Sequence, residues 1–229
     1  IDSSINPLPL QDPAHVKING ETFILGVKVR EEGNCIKWRQ EIYRGDSIKN
    51  LEYFTSGPEG MKDIRLVELE GRIGVFTRPQ GKIGGAGKIG YFEVRNVNEL
   101  KNFTEDDWYD SAKIIEGLFD KNHWGGVNQA IKLPDGKIGI IGHIAHQTSN
   151  KQDEWEKHYY CMAFVFDPIK EMHSKFKIIA KRKDFPYSKS KESPELDDVL
   201  FPAGIDKKFM LYCGISDFCA GKKPIVNPF

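Results

Sequence analysis

The sequence has no excess charge of either sign and no long apolar run. Lysine and arginine number 33 together, as do aspartate and glutamate, so the formal net charge is zero. This balance argues against a broad electrostatic surface for nucleic acid or anionic lipid. No segment approaches the roughly 18 apolar residues that a membrane helix needs. We therefore expect no nucleic-acid partner and no membrane association. We expect no signal peptide, and because the chain begins with Ile1 rather than Met, we expect the natural N-terminus to be missing.

Cysteine is also scarce, and its spacing excludes the common metal motifs. The four cysteines form no Cys-x-x-Cys pair, and three of them lie in or beside apolar, strand-like runs. This pattern fits buried free thiols of a reducing compartment better than disulfides or zinc ligands. The sequence also lacks Gly-x-Ser-x-Gly and His-Glu-x-x-His motifs. We therefore predict a cytoplasmic protein with no metal and no cofactor.

A hairpin pattern recurs along the chain. Each copy has a short apolar run, a two-residue turn and a longer apolar run, as in VKINGETFILGVKV, RLVELEGRIGVFTR, AIKLPDGKIGIIGHI and VLFPAGIDKKFMLYCGI. The turns include Asn-Gly and Asp-Gly, which tolerate the positive φ angles that tight hairpins require. A further strand-like run follows each of the first three copies. The repeating unit is therefore an antiparallel group of strands.

The spacing of these units favours a β-propeller. They recur at roughly 50–70 residues, the interval expected for four-stranded blades. A β-sandwich would also contain many short strands, but it would not regenerate the same hairpin at this interval. We predict an all-β, five-bladed propeller forming a single domain over residues 1–229. Because only four hairpins are present, we expect the chain to be N-terminally truncated, with about four blades and an incomplete first blade.

Aspartates stand before the first strand of several repeats. Asp12, Asp63 and Asp198 occupy matching places, and Asn128 takes this place in the remaining repeat. In a propeller these strand starts face a central funnel. Carboxylates gathered there suit glycoside chemistry, in which one stays protonated and another stays charged. The alternative is that aspartate is simply a common turn residue before a strand.

Other polar and aromatic residues lie near the same predicted funnel. Arg78 and His143 end the second strands of two hairpins, and Asp217 follows another. Arg78 could hold a carboxylate or phosphate in a bidentate fork, or it could be a surface arginine. His143 follows an apolar run, so a core histidine is a serious alternative. A charge buried without a role at Asp217 would be costly, which favours function there. Trp124 and Tyr212 could stack on sugar rings or belong to the core.

The glycine-rich stretch GKIGGAGKIG at 81–90 superficially resembles nucleotide-binding loops. It lacks the Ser or Thr of a phosphate loop, its first glycine is misplaced for a dinucleotide fingerprint, and no βαβ unit surrounds it. We therefore predict a flexible loop between strands.

The hairpin segments resemble those of glycoside hydrolase family 130, whose members are five-bladed propellers that phosphorolyse or hydrolyse β-mannosides. Asp12-Pro13 followed by VKING is similar to the family's Asp-Pro-Arg segment. KDIRLVELEGRIGVFTRP resembles its Asn-Lys-Asp … Gly-Arg-Tyr … His-Arg-Pro segment. IGIIGHIAH is similar to its Tyr-His-Gly strand, and VLFPAGIDKKFMLYCGISD to its Val-Phe-Pro-Cys-Gly … Tyr-Tyr-Gly-Ala-Ala-Asp segment. KDIRL…FTRPQG and WGGVN…GHIA look closer still to a related uncharacterised bacterial family.

The resemblance implies a role for each matched residue. Asp12 would be the general acid, and Lys62 and Asp63 would bind sugar or phosphate. Arg78 and His143 would approach the phosphate or nucleophile, and Asp217 would hold the sugar. The remaining residues expected to contact substrate are Arg65, Trp124, Asn128, Asp198 and Tyr212.

The implied activity is inverting phosphorolysis, or hydrolysis, of β-mannosides in the central funnel. The partners would be an oligosaccharide or small glycoside and inorganic phosphate as co-substrate, and a homo-oligomer is left open. One departure stands against catalysis, because Ala14 replaces the family's arginine after Asp-Pro. It favours the alternative of a non-catalytic glycan-binding propeller. A protein-interaction propeller would instead show apolar patches around the funnel.

Overall fold

The computed structural model describes residues 7–149, 154–188, 190 and 193–229. The chain divides into two compact units, Ile1–Ile114 and Ile115–Phe229. The expectation of a single domain over residues 1–229 stays a prediction.

The first unit contains two antiparallel sheets in which strands that follow one another along the chain are neighbours. The strands of the first sheet are β1 (Gln11–Ile18), β2 (Glu21–Glu32), β3 (Cys35–Gly45) and β4 (Glu52–Ser56). The strands of the second sheet are β5 (Arg65–Leu69), β6 (Arg72–Thr77), β7 (Gly90–Val94) and β8 (Lys113–Ile114). The tight turns of this unit contain glycines in the left-handed region, such as Gly20 at φ 82° and Gly71 at φ 69°.

The second unit also contains two antiparallel sheets. The strands of its larger sheet are β9 (Trp124–Lys132), β10 (Ile138–Ser149), β11 (Trp155–Asp167), β12 (Met172–His173) and β13 (Lys177–Ala180). The order in this sheet is β12-β11-β10-β9, and β13 pairs with β11. The strands of its smaller sheet are β14 (Leu200–Ile205), β15 (Met210–Ile215) and β16 (Cys219–Pro224).

Helices are short in the described part of the chain. The α-helices are α1 (Gly81–Gly84) and α2 (Glu105–Asp110), and the 3₁₀ helices are Val97–Asn102, Arg182–Asp184 and Pro194–Leu196. Within the described residues, no helix is long and apolar enough to cross a membrane.

Each unit has its own apolar core. The first core includes Phe23, Ile42 and Trp108, and the second includes Ile141 and Leu200. Except for Trp108, which comes from α2, these residues lie at apolar positions of the strands, so burial of one face holds each sheet in register.

Two cysteines belong to the second core and two do not. Cys161 and Cys213 are buried with their sulfurs 3.6 Å apart, whereas Cys35 and Cys219 are exposed, and all four are free thiols. Burial raises the pKa of the Cys161 thiol well above its ordinary value. The Cys161 thiol therefore stays in its neutral form.

The all-β propeller class is confirmed, and the four predicted hairpins are β1–β2, β5–β6, β9–β10 and β14–β15. Each hairpin starts one sheet, so the described residues form four sheets, the number expected for this chain, and not the five of a complete five-bladed ring. The expectation of an incomplete first blade is wrong. The segments CIKWRQEIYRG and EYFTS after the first hairpin supply β3 and β4, so the first sheet has four strands. Only three strands form the sheet of the last hairpin.

Candidate active site

Asp12 lies in a β-bulge at the start of β1. Gln11 pairs with Val27 and Ala14 with Leu25, so β1 has one extra residue at this point. Asp12 has a φ of 48°, in the left-handed region that few residues other than glycine adopt. Bulges of this kind re-aim side chains beside active sites. Gly26 makes room for the bulge, because a Cβ there would lie 2.7 Å from the Leu10 Cβ.

Asp63 and Arg78 form a buried ion pair at the ends of the β5–β6 hairpin. The Arg78 Nη1 donates to Asp63 Oδ2 over 3.1 Å, and both side chains are at most 5% exposed. Arg65 Nη2 lies 3.9 Å from Asp63 Oδ1, and its Nη1 donates to the Ile64 carbonyl over 2.9 Å. Asp63 also has a positive φ, 60°. Three of the predicted acids, Asp12, Asp63 and Asp217, have positive φ, the kind of strain that functional sites hold.

The electrostatics of this cluster favour an anion. Two buried guanidinium groups flank one buried carboxylate, so the pocket carries more positive than negative charge unless Asp12 contributes. Burial lowers the pKa of Arg65, while the Asp63 and Asp12 carboxylates oppose that shift. Asp12 is therefore close enough to act on Arg65. The Arg78 Nε is buried without a hydrogen-bond partner among the described residues.

The glycine-rich stretch packs against Arg78. A Cβ at Gly87 would lie 2.6 Å from the Arg78 Nε, and Gly87 has a φ of 141°. Gln80 Nε2 donates to the Ala86 carbonyl over 3.0 Å, which holds the same turn. The segment predicted only to connect two strands thus forms one wall of the guanidinium pocket. No sequence motif links Gly87 to Arg78, so the sequence did not predict this contact.

A cleft of ≈ 330 Å³ opens beside Asp12. It is lined by Asp12 and Lys62, by Gln11, and by the apolar side chains of Val27, Val29, Ile36 and Trp38. Five predicted site residues, Asp12, Lys62, Asp63, Arg65 and Arg78, therefore lie in one region of the first unit. Sequence reasoning missed Trp38, although its alternation with Ile36 placed both on one face of a strand.

In the second unit, His143 and Asn128 form a buried pair. The His143 Nδ1 lies 2.8 Å from Asn128 Oδ1, and the imidazole is 1% exposed. Because the amide oxygen only accepts, Nδ1 carries the proton in this arrangement. A register shift between Ile141 and Gly142 in the pairing of β9 with β10 brings the two side chains together.

Trp124 connects to this pair through Tyr159. The Trp124 Nε1 donates to the Tyr159 hydroxyl over 3.1 Å, and the Tyr159 ring stacks on His143 with centroids 5.6 Å apart. Tyr159 was missed because it lies mid-strand in an ordinary apolar run. Of the predicted residues, Trp124, Asn128 and His143 thus lie together in the second unit.

Asp198 anchors a second polar group in this unit. Its Oδ2 lies 2.7 Å from His158 Nδ1 and accepts a hydrogen bond from the Tyr160 hydroxyl over 3.1 Å. Burial, followed by the Asp198 charge, raises the pKa of Tyr160 to about 12. His146 stacks on His158 with centroids 4.6 Å apart. Burial lowers the pKa of His146, and the neighbouring histidines His158 and His123 lower it further.

Tyr212 and Asp217 lie at different ends of β15. The Tyr212 hydroxyl is 3.3 Å from Asp206 Oδ2 in the hairpin turn, whereas Asp217 is exposed in the turn after the strand, with a φ of 50°. The structure therefore does not bring this tyrosine beside this aspartate. Their contacts with a substrate stay predictions.

No group of three or more histidine, cysteine, aspartate or glutamate side chains in the described part of the chain is arranged to hold a metal ion. The polar side chains of the candidate site carry guanidinium, ammonium and carboxylate groups.

The four blades and the acid–base cluster at the start of β1 and β5 define an all-β propeller resembling glycoside hydrolase family 130. The chain itself belongs to the family described as "Protein of unknown function (DUF1861)", whose model matches residues 3–229. No curated protein matches the chain.

Several solved structures are similar to this chain. A mannose phosphorylase from Leishmania mexicana, MPT-4, solved with a phosphate ion, is 33% identical with a TM-score of 0.82; the match covers 96% of this chain and 71% of that one. MPT-1, a GDP-Man-dependent mannosyltransferase from the same organism, is 34% identical with a TM-score of 0.86, covering 100% and 71%. A β-1,2-mannobiose phosphorylase from Listeria innocua is 19% identical, covers 93% and 56%, and at a TM-score of 0.62 shares the fold.

Proposed function

We propose that this protein is a carbohydrate-active enzyme that transfers a mannosyl group between a sugar and inorganic phosphate, with inversion at the anomeric carbon. The observation that carries the proposal is the cluster in the first unit. It combines a carboxylate in a bulge, Asp12, with two buried guanidinium groups around Asp63 and with a cleft. Similarity to a mannose phosphorylase solved with phosphate supports the choice of sugar and co-substrate.

The proposed reaction divides the cluster into an acid and an anion site. Asp12, protonated, gives its proton to the glycosidic oxygen, directly or through a sugar hydroxyl, as the bond from that oxygen to the anomeric carbon breaks. A phosphate oxygen bonds to the same carbon from the opposite face. Hydrogen phosphate loses one proton, which restores Asp12. The products are mannose 1-phosphate and the released sugar.

The cations suit the second substrate. Phosphate is a dianion, and Lys62, Arg65 and Arg78 supply three positive charges near the single buried charge of Asp63. Arg78 contributes a rigid fork because Gly87 packs against its guanidinium. A hydrolase would need a carboxylate base for water, whereas phosphate needs none, so this charge pattern favours phosphorolysis.

Arg65 can supply the positive charge of the arginine that is missing after Asp-Pro. Ala14 stands where family 130 has arginine, and Ala14 pairs with Leu25 within β1–β2. We infer that Arg65 supplies positive charge beside Asp12 in its place, because the two side chains interact electrostatically. The cluster therefore keeps a cation near the proposed acid.

A mannosyltransferase is the second candidate. MPT-1, which uses GDP-Man, matches this chain at about the same identity as MPT-4, so the donor could be a nucleotide sugar rather than a sugar phosphate. Both reactions move a mannosyl group and leave a phosphate-bearing product, and both would use the same cations.

The test compares donors and acceptors in one assay. First, the wild-type chain is incubated with β-1,2-mannobiose, with and without phosphate, and mannose 1-phosphate is measured by ³¹P NMR. Second, mannose 1-phosphate and GDP-mannose are compared as donors of a mannosyl group to mannose. We expect phosphate-dependent formation of mannose 1-phosphate. Asp12→Asn should lower kcat/KM by about 10²–10⁴, the usual contribution of a general acid. Arg78→Lys should raise the KM for phosphate at least about tenfold, since lysine cannot form the bidentate fork.

The exposed carboxylate of Asp46 supplies the matched control, and Asp46→Asn should leave all rates unchanged. Equal turnover without phosphate would make the protein a hydrolase, and turnover with GDP-mannose alone would make it a transferase. Binding of mannobiose without turnover of any donor would make it a glycan-binding protein. Each of these results overturns the phosphorylase proposal.

A further inference from the structure

The β2–β3 hairpin extends beyond its neighbours as a two-stranded arm. The last partner of β1 is Gln11, opposite Val27, and the last partner of β4 is Ser56, opposite Glu41. Pairing between β2 and β3 continues from Lys28↔Arg39 to Glu32↔Cys35. Residues 28–39, called here the arm, therefore have β-sheet partners only in each other.

The two faces of the arm differ sharply. Because residues opposite one another in an antiparallel pair share a face, the pairs Lys28↔Arg39 and Arg30↔Lys37 form a charged face. The pair Val29↔Trp38 lies on the other face, with Ile36 opposite Glu31.

Ion pairs fix the charged face. Arg30 bonds to Glu59, Arg39 Nη1 lies 4.0 Å from a Glu59 oxygen, and Lys37 Nζ lies 2.6 Å from Glu32. The arm is thus tied by its charged face to the segment before β5. Its apolar face is the one that lines the cleft with Asp12 and Lys62.

Trp38 is held in a defined orientation on the cleft wall. Its indole Nε1 donates to the Gly60 carbonyl over 3.1 Å, and its own carbonyl accepts from the Gly60 amide over 2.7 Å. The side chain nevertheless remains 37% exposed. An aromatic ring that is oriented by a hydrogen bond and open to a cleft can bind without a further loss of its own freedom.

A buried amide lies on the same face of the arm's base. Gln40 pairs with Val27, so its side chain shares the face of Val27, Val29 and Trp38. The Gln40 amide nitrogen and oxygen are both buried and have no hydrogen-bond partner among the described residues. Such a group is costly unless something bonds to it. Gln40 is fully buried and does not line the cleft, so a buried water would satisfy it.

We propose that this cleft is the binding subsite for the acceptor sugar, with Trp38 stacked on the apolar C–H face of its ring. The proposal rests on the proposed function, and it names the site of the sugar that leaves in phosphorolysis and attacks in synthesis. A sugar ring has one apolar face and a polar rim. The cleft matches both, since Trp38 and Val29 form an apolar wall, and Asp12, Lys62 and Gln11 supply polar groups. Asp12 in the same cleft is where the acid must be to protonate the oxygen of this sugar.

Steady-state kinetics in the direction of synthesis test the subsite, with mannose 1-phosphate as donor and mannose as acceptor. Trp38→Ala should raise the KM for mannose about tenfold while leaving the KM for mannose 1-phosphate within about twofold. Trp38→Phe, which keeps an aromatic face but loses the bond to Gly60, should recover most of the acceptor affinity. The control is Trp155→Ala, which removes a 56% exposed tryptophan from the second unit and should change neither constant.

Equilibrium binding separates this proposal from the proposed function. β-1,2-Mannobiose is titrated into the wild type and Trp38→Ala by isothermal calorimetry, with circular dichroism to establish folding. If wild type binds mannobiose about tenfold more tightly than Trp38→Ala but turns over nothing, the subsite stands and the phosphorylase proposal fails. If the enzyme is active and Trp38→Ala changes neither acceptor KM nor binding, the subsite is overturned and the phosphorylase proposal stands.

Two further results overturn the subsite. One is a failure of the wild type to bind mannobiose at all. The other is a dimer, seen by size-exclusion chromatography with light scattering, that Trp38→Ala converts to monomer; this would make the apolar face a contact between copies of the chain.

Discussion

The Asp63–Arg78 ion pair offers the sharpest test of the site, through the substitution Asp63→Asn. Asparagine keeps the shape of aspartate and tolerates its φ of 60°, so the change removes charge with little backbone strain. Arg78 Nη1, 3.1 Å from Asp63 Oδ2, and Arg65 Nη2, 3.9 Å from Oδ1, would then lose the buried charge of Asp63. Removing one partner of a buried ion pair typically costs about 3–5 kcal/mol.

The expected loss converts into a measurable shift of the melting temperature. For a chain of this length, 1 kcal/mol corresponds to about 2–4 °C, so Asp63→Asn should lower Tm by about 6–20 °C. Thermal unfolding followed by circular dichroism measures this directly. The control is Asp46→Asn, the same chemical change at an exposed position of the same unit, which should leave Tm unchanged.

A double variant shows whether the loss comes from the uncompensated guanidinium. Asp63→Asn combined with Arg78→Met should be more stable than the sum of the two single effects predicts, because neither charge is then left alone. Strictly additive effects, or a Tm for Asp63→Asn equal to that of the control, would refute the reasoning that this pair is buried and coupled.

Two further predictions concern the glycine wall and a histidine of the second unit. Gly87→Ala should destabilise the protein by about 1–3 kcal/mol and weaken phosphate binding, because its Cβ would lie 2.6 Å from the Arg78 Nε at a strained φ. Gly20→Ala, at φ 82° with nothing within 4 Å, measures strain without the clash and should leave phosphate affinity, measured by calorimetry, unchanged. The folded-state pKa of His146 is lowered, so the unfolded chain binds more protons below pH 6.5, and the stability that this group contributes is lost as pH falls from 6.5 through the folded pKa. His146→Gln should therefore reduce the drop in Tm between pH 7.5 and 5.5; a drop equal to that of the wild type would contradict this account.

The register of a hairpin explains one polar pair of the site. Asp63 and Arg78 stand on either side of a hairpin in which Arg65 pairs with Phe76, so continuing the register by two residues places them opposite one another. Asn128 and His143 do not follow such a register, because His143 pairs with Gly126 and a register shift between Ile141 and Gly142 leaves Asn128 beside it. Turn geometry therefore determined the first polar pair, and a bulge determined the second.

The cleft and the guanidinium pocket depend on contacts that hairpin register does not specify. Gly87 reaches Arg78 through an irregular loop, and the bulge at Asp12 depends on the approach of Leu10 to Gly26. Trp38 lines the cleft because β2 and β3 extend beyond the ends of their neighbours in the sheet. Alternation predicted that Trp38 and Ile36 share a face, but it could not say which molecule or segment that face would meet.

The sequence by itself determined the strands and their hairpins, since turn dipeptides such as Asn19-Gly20 and the alternation of apolar residues act between near neighbours. Tertiary structure alone decided the burial of Asp63 between two arginines and the placement of Trp38 and Asp12 in one cleft. The physical reason is range. A turn or a strand is stabilised within a few residues, whereas a site requires bulges, register and loop packing to bring distant side chains to one place.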